Sequence, residues 1–494
     1  MRSTSSLGSL SRGKNPFGVT HAYFSDSLLK LSDQAFQELP KEEIKLTSTI
    51  PVLSDATPRL RRTLTLWDLI LYGVIVIQPV APMSVFGVLS ERGRGHVVTA
   101  ILIAMVAMLF TGISYGRMAQ AYPSAGSAFT YVAREIHPGA GYVIGWSMVM
   151  DYILNPLICT IWCAQQAHDF APAVPVWGWK FFFALVFTLL NVCGVKTSAR
   201  INAVMAIGMG VVVTVIFVAA ARYIFGHPHD GAGFFTRPFY DPQTFSYDGL
   251  FGCTSIAVLT YIGFDGISTL SEEAENPRRN ILLATLLTCV VIGLLSAAEV
   301  YIAQLVWPAS EHFPDTDTAY VSVAGRLWPP LFTVVGLTLV LANIGSGMAA
   351  QLGAARLLYG MGRSSALPKS FFGAVDPRHQ VPRNNVILIG VIVLIGAFFF
   401  SYDLGAEMLN FGALIAFMGV NAAAFLRYFV RAGEKKFWNL VSPILGFLIC
   451  LGLWWNLGWP AKIAGSLWMI VGTLFGVWIT SGFRKPLSFE VPAE

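Results

Sequence analysis

Long apolar runs recur along nearly the whole chain after Leu64, and they constrain the fold more than any other feature. A helix that crosses a bilayer needs roughly 20 mostly apolar residues. Twelve segments satisfy this reading: Leu66–Val88, Val97–Ala119, Ala140–Ala164, Trp179–Val195, Ala203–Phe225, Leu250–Ser271, Ile281–Val306, Pro329–Leu358, Val386–Ser401, Glu407–Phe429, Leu440–Leu457 and Ile463–Ile479. The fourth and ninth are short. Composition agrees: 55% of the 494 residues are hydrophobic and 12% charged, against about 25% charged in a soluble chain. The expected fold class is therefore an all-α polytopic membrane protein with about twelve transmembrane helices.

The net charge of +5 comes from dispersed basic residues and is no nucleic-acid signal. Lys and Arg concentrate in alternate loops, among them Arg117, Arg134, Lys196, Arg200, Arg278, Arg279, Arg363, Arg427, Arg431 and Lys436. The positive-inside bias then puts both termini in the cytoplasm, and the plasma membrane is the expected location. Residues 1–60 read as a polar cytoplasmic tail with a short helix near Asp33 to Glu43, and 483–494 as a second tail. No cleavable leader is expected, because the first apolar run begins too late. The six cysteines fall in apolar segments without metal-ligand spacing, so they read as small buried hydrophobes, with neither metal nor cofactor implied.

Two spans carry interruptions. The first contains Gln78-Pro79-Val80-Ala81-Pro82, where two prolines remove backbone donors. The sixth contains Gly263-Phe264-Asp265-Gly266, where glycines let the backbone leave the helix. These spans lie five apart and so run in opposite directions. Paired breaks of this kind point to a five-plus-five inverted repeat, with the binding site at the breaks. The core then covers 61–430, and 431–482 adds two further helices.

Several motifs resemble one family. Tyr261-Ile262-Gly263-Phe264-Asp265-Gly266, continuing through Glu272-Glu273-Ala274-Glu275-Asn276-Pro277-Arg278, is similar to the sixth helix of amino acid–polyamine–organocation permeases. Tyr115-Gly116-Arg117, Tyr122 to Ala128, Gly141 to Trp146, Gly194 to Asn202 and Arg356 to Pro368 resemble that family in the same order. The resemblance implies substrate held between the broken first and sixth helices, helped by the third, eighth and tenth. It implies import or exchange of amino acids, polyamines or related amines, often with protons. Two departures stand out. The Gly-Ser-Gly-like turn of typical amino acid members is replaced by the proline-rich break, which looks more like putrescine importers and their unassigned relatives. The helix 5 lysine of some proton-coupled members falls at Met209 here.

The candidate substrate-binding residues are Gln78, Val80, Ala81, Ser84, Trp146, Asp151, Gly263, Phe264, Asp265, Ser346 and Asn410. An ionisable group at mid-membrane costs roughly 2.5–3.5 kcal/mol on insertion scales and needs a reason. Asp265, Asp151 and Glu299 are therefore the proton-coupling candidates. Asp265 either meets a substrate ammonium or caps the following half-helix. Glu299 sits in an apolar stretch suited to reversible proton binding or to packing. Asp68, Glu272, Glu273 and Arg278 form a candidate inner gate, with Asp68 expected to pair with Arg61 or Arg62. The loop His227-Pro228-His229-Asp230 reads as solvated and not as a metal site.

The function expected is secondary active transport of an amino acid or polyamine by alternating access, as proton-coupled import. The alternatives are an exchanger and a transporter-like sensor. An ATP-driven pump is disfavoured by the lack of a phosphate-binding loop. A membrane enzyme is disfavoured by histidines that all lie outside the apolar centres. A free carboxylate near Asp265 favours diamines, since each ammonium needs a partner, whereas free backbone amides at the first break favour amino acids.

Overall fold

The computed structural model describes residues 64–482, apart from 124–125, 194–198, 229–230, 232, 272, 309–310, 364–366, 377–378, 380, 481 and the side chains of 199–203. The tails, the helix expected near Asp33, Glu272, Arg61, Arg62, His229 and Asp230 therefore lie outside the described residues.

The described residues are almost entirely helical; the only β-pairing among them is an isolated bridge between Leu64 and Ala274. The first span is two helices, α1 (Leu66–Ile77) and α2 (Ala81–Gly93), bent by 45°. Then follow α3 (Val97–Ala121), α4 (Ser127–Glu135), α5 (Pro138–Phe170), α6 (Val176–Val192) and α7 (Ala199–Gly226). The sixth span comprises α8 (Tyr247–Ala257), a 3₁₀ turn at Val258–Tyr261 and the single-turn α9 (Gly266–Thr269). It is followed by α10 (Pro277–Val306), α11 (Ala319–Leu327), α12 (Pro329–Arg363) and α13 (Lys369–Phe372). The last elements are α14 (Arg383–Phe399), α15 (Tyr402–Phe425) with a π-helical end at Leu426–Arg431, α16 (Phe437–Trp455) and α17 (Trp459–Ile479).

Nine helices of the described chain are long and apolar enough to cross a membrane, and the bent α1–α2 pair makes a tenth. The two short spans of the sequence reading are α6 and α14, apolar helices of 17 residues each. At 1.5 Å per residue each is about 25 Å long, at the lower limit for a span. Most helices extend a few residues beyond the apolar runs, because polar end residues continue the helix. The first turn of α10, Pro277 to Asn280, is an example.

Burial sorts the helices. α5 is enclosed along most of its 33 residues and packs on α12, α15, α4 and α6. It runs through Pro156 unbroken, with the Thr160 hydroxyl donating to the Pro156 carbonyl at 2.8 Å. α7 and α17 instead present Ile207, Val218, Leu467 and Trp478 outward. Such apolar surface is stable against lipid and unstable against water. Five cysteines are buried as expected; Cys193 is exposed, because it caps the C-terminus of α6 at the chain's turn.

The ends of the bundle are held differently. On the face where Leu64 lies, termed here the near face, Leu64 pairs its backbone with Glu273 and Glu275 (N–H to Glu273 O 3.0 Å; Glu275 N–H to Leu64 O 2.8 Å). This ties the start of the first span to the end of the sixth. Also near this face, buried Glu135 of α4 accepts from Arg427 and Arg431 at the π-helical end of α15, each at 2.6 Å, and from the Tyr122 hydroxyl. On the far face a cavity of about 520 Å³ lies between α2, α5, α6, the loop before α11 and the start of α15.

Candidate functional site

The two breaks are built differently and meet in the middle of the bundle. In the first, Gln78 adopts φ 71°, a left-handed conformation that a side chain makes unfavourable by about 1–3 kcal/mol. It is retained because the Gln78 amide donates to the Ala342 carbonyl of α12 at 2.6 Å, in a buried setting. The next residue of α12, Asn343, donates to the Ser84 hydroxyl at 3.2 Å. Helix α12 thus clamps both sides of the proline break. In the second break Gly263 has φ 119°. A Cβ there would meet Val76 at 2.9 Å and Ile77 at 3.3 Å, so only glycine lets the two breaks touch.

Asp265 follows directly. Its carboxylate turns back to accept from the Gly263 amide at 3.3 Å and from the Tyr152 hydroxyl at 3.4 Å. It immediately precedes α9, where no side-chain cap hydrogen bond is formed. Asp265 is 3% exposed and Asp151 6%. The two carboxyls lie within electrostatic reach of one another, and the Asp265 charge also reaches Tyr72, Tyr115 and Tyr152. An acidic centre bordered by tyrosines thus forms between α1, α3, α5 and the sixth span. Phe264 is fully buried, edge-on to Tyr115 and tilted against Phe417.

The backbone of the first break decides what this centre can accept. Residues 79 and 82 are prolines without an N–H. The Ala81 and Met83 amides donate internally, to the Gln78 and Val80 carbonyls at 3.2 and 3.1 Å. These four positions therefore present no amide cradle to an anion.

Other candidates support the breaks or lie elsewhere. Asn410 of α15 donates to the Ser255 and Ile256 carbonyls at 2.9 and 3.2 Å, which holds α8 just ahead of its 3₁₀ turn. Ser346 donates to Asn155 of α5 at 3.3 Å. Val80 is buried and Ala81 partly so, at the start of α2. Trp146 lies apart from the breaks: it stacks on Trp468 of α17 at 4.9 Å, and each indole donates to the other's backbone carbonyl. Glu299 is fully buried in α10 and, among the described residues, no charge of the acidic centre acts on it. Asp68 closes a capping box with Thr65 at the start of α1. Glu273 contributes its carbonyl to the Leu64 bridge. Arg278 sits in the first turn of α10.

Sequence reasoning missed three features. Tyr152 borders Asp265, yet an aromatic beside Asp151 reads as packing. Arg92 at the end of α2 pairs with buried Glu407 of α15 at 2.5 Å, across 315 residues of sequence. Glu407 also accepts from the Gly458 amide at 3.0 Å. Glu135, with its two arginines, was the third. Long-range pairing of charges leaves no local pattern, so no sequence signal marked the last two. Among the described residues no group of three metal-ligating side chains converges.

A helical membrane bundle with two interrupted spans meeting at a buried carboxylate defines a permease-type protein. The amino acid permease family matches residues 80–482, and the chain belongs to that family, within the amino acid–polyamine–organocation superfamily. The low-affinity putrescine importer PlaP of Escherichia coli K12 is 35% identical over 439 residues, covering 87% of this chain and 96% of that protein. The branched-chain amino acid permease BcaP of Bacillus subtilis is 24% identical over 84% of this chain and 92% of its own length. A vacuolar cationic amino acid transporter of Arabidopsis thaliana is 27% identical over 76% of this chain and 65% of its own. The protein is accordingly an integral membrane transporter of the amino acid and polyamine type.

Proposed function

We propose that this protein imports a small linear diamine by alternating access between the breaks, driven by a proton gradient. The observation that carries the reading is the pair of buried carboxyls, Asp151 and Asp265, beside a break without free amides at residues 79 and 81–83. A diamine presents two ammonium groups and no carboxylate. Two carboxyls serve it, and an amide cradle would have nothing to bind. An amino acid would bring a carboxylate into an already acidic centre, which disfavours it. The 35% identity to a putrescine importer supports the same class.

In this reading Asp265 binds one ammonium and Asp151 the other, with Tyr152 orienting Asp265. Gln78, Val80, Ala81, Ser84, Gly263 and Phe264 shape the cavity around the carbon chain. Ser346 and Asn410 hold the surrounding helices. Trp146 acts from a distance, through the α5–α17 contact. Asp68, Glu272, Glu273 and Arg278 close the inner end. The near face is cytoplasmic and the far face external, following the distribution of Lys and Arg, and the membrane is the plasma membrane. The chain has no enzymatic role and needs no cofactor.

The test is uptake of labelled diamines and amino acids by the purified protein in liposomes, with and without an inward proton gradient. Wild type should accumulate a diamine under the gradient and ignore neutral amino acids. Asp265→Asn should lower diamine uptake about 30-fold or more, because it leaves a buried ammonium unpaired. Asp151→Asn should hurt diamines more than monoamines. Accumulation of a neutral amino acid in preference to diamines would overturn the reading.

A further inference from the structure

Glu299 is the buried ionisable group that the amine site leaves unexplained. Its side chain is fully enclosed, seven residues before the far end of α10, and neither carboxyl oxygen has a hydrogen-bond partner. Among the described residues no cation acts on it. Among the described residues of the elements packed against α10, which are α1, α2, α3, α7, α9, α11 and the 3₁₀ turn, the titratable group facing the carboxyl is Tyr320 of α11. The Tyr320 hydroxyl spends its proton on the Glu299 backbone carbonyl at 3.3 Å and leaves the side chain bare.

A lone carboxylate in such a setting is prohibitively unfavourable, whereas the neutral acid is tolerable. A Glu kept only for packing is a poor choice, since a glutamine or methionine fills the space without the ionisation hazard. The lid above is one that alternating access would move. Tyr320 packs edge-on to Phe86 of α2 at 5.6 Å, and Phe86 packs on Phe313 at 5.8 Å. Helix α2 is the far half of the first broken span; in the alternating-access reading its displacement would uncover the Glu299 carboxyl to the far-side solution.

We infer that Glu299 is a proton-binding site, separate from the amine site, that loads from the far side when α2 and α11 lift and is held neutral when they close. This rests on the transport reading above and assigns its coupling proton to α10. No covalent bond changes; one proton joins one carboxylate oxygen and later leaves it.

Infrared difference spectra of the protein in lipid vesicles, stepped from acid to alkaline buffer, test proton occupancy directly. The expected result is a protonated-acid C=O band that disappears at alkaline pH, is absent from Glu299→Gln and returns shifted in Glu299→Asp. In liposomes, Glu299→Gln should lose accumulation driven by a proton gradient, while exchange against preloaded diamine persists. Survival of that same band unchanged in Glu299→Gln, or a wild-type spectrum in which no titrating band depends on residue 299, would sink the assignment. So would undiminished gradient-driven accumulation in Glu299→Gln. If wild type moves no amine at all, the amine reading fails while the spectra still decide the fate of Glu299.

Discussion

The two breaks reach the same end by opposite means. The first is made by residues that forbid a helix: prolines remove donors, and Gln78 takes positive φ with its side chain bonded to Ala342. The second is made by a residue that permits a departure: Gly263 takes φ 119° and leaves room for Val76 and Ile77. The first break carries no charge, and α12 stabilises it from outside. The second carries Asp265, and the carboxylate stabilises it from within by bonding the Gly263 amide. A break held from outside can move with its neighbour. A break organised around its own carboxylate is tied to that carboxylate's position; in the proposed function, motion therefore falls to the first span and binding to the sixth.

The sharpest way to break this comparison is Gly263→Ala. The methyl group would be strained by its φ and would press on Val76, at about 1–3 kcal/mol for the backbone alone. Transport should be lost, and thermal unfolding in detergent should occur at lower temperature. A tolerated alanine would show that the second break does not depend on permissive backbone.

An intermediate effect should separate Gln78→Ala from Gln78→Gly. Alanine loses the hydrogen bond to Ala342, while the adjoining Pro79 turn still holds residue 78 at positive φ, so it should destabilise by about 1 kcal/mol. Glycine loses the bond and relieves the strain, so it should be less destabilising than alanine. Equal unfolding temperatures for the two variants would mean that residue 78 is not strained.

The smallest effect concerns the loop over α2. Burial and the neighbouring Asp315 and Asp403 charges push the Asp317 carboxyl up to about 6, with Lys180 opposing. The folded state thus favours the neutral acid. The stability this contributes is fully present below the ordinary carboxyl value of 3.8 and is lost as pH rises through about 6. Asp317→Asn should therefore raise the unfolding temperature at about pH 8 and leave it nearly unchanged at about pH 4. The opposite pattern would mean that the loop depends on the charged form, and that α2 is held electrostatically on the far face.

Much of this was legible in the chain itself. Apolar runs locate spans because lipid cannot satisfy a bare backbone, so the helices must be long and internally bonded. Pro79, Pro82, Gly263 and Gly266 mark the breaks because their effect on the backbone is local. Asp265 is conspicuous because a carboxylate amid apolar residues needs a reason wherever it falls. The tertiary structure alone decided which groups surround it. Tyr152 beside Asp265, Asp151 within its electrostatic reach, Arg92 on Glu407 and Trp146 against Trp468 join helices far apart in sequence. Local chemistry fixes where a chain bends and where it carries charge. Which charges face one another depends on how the helices pack, and no single segment contains that information.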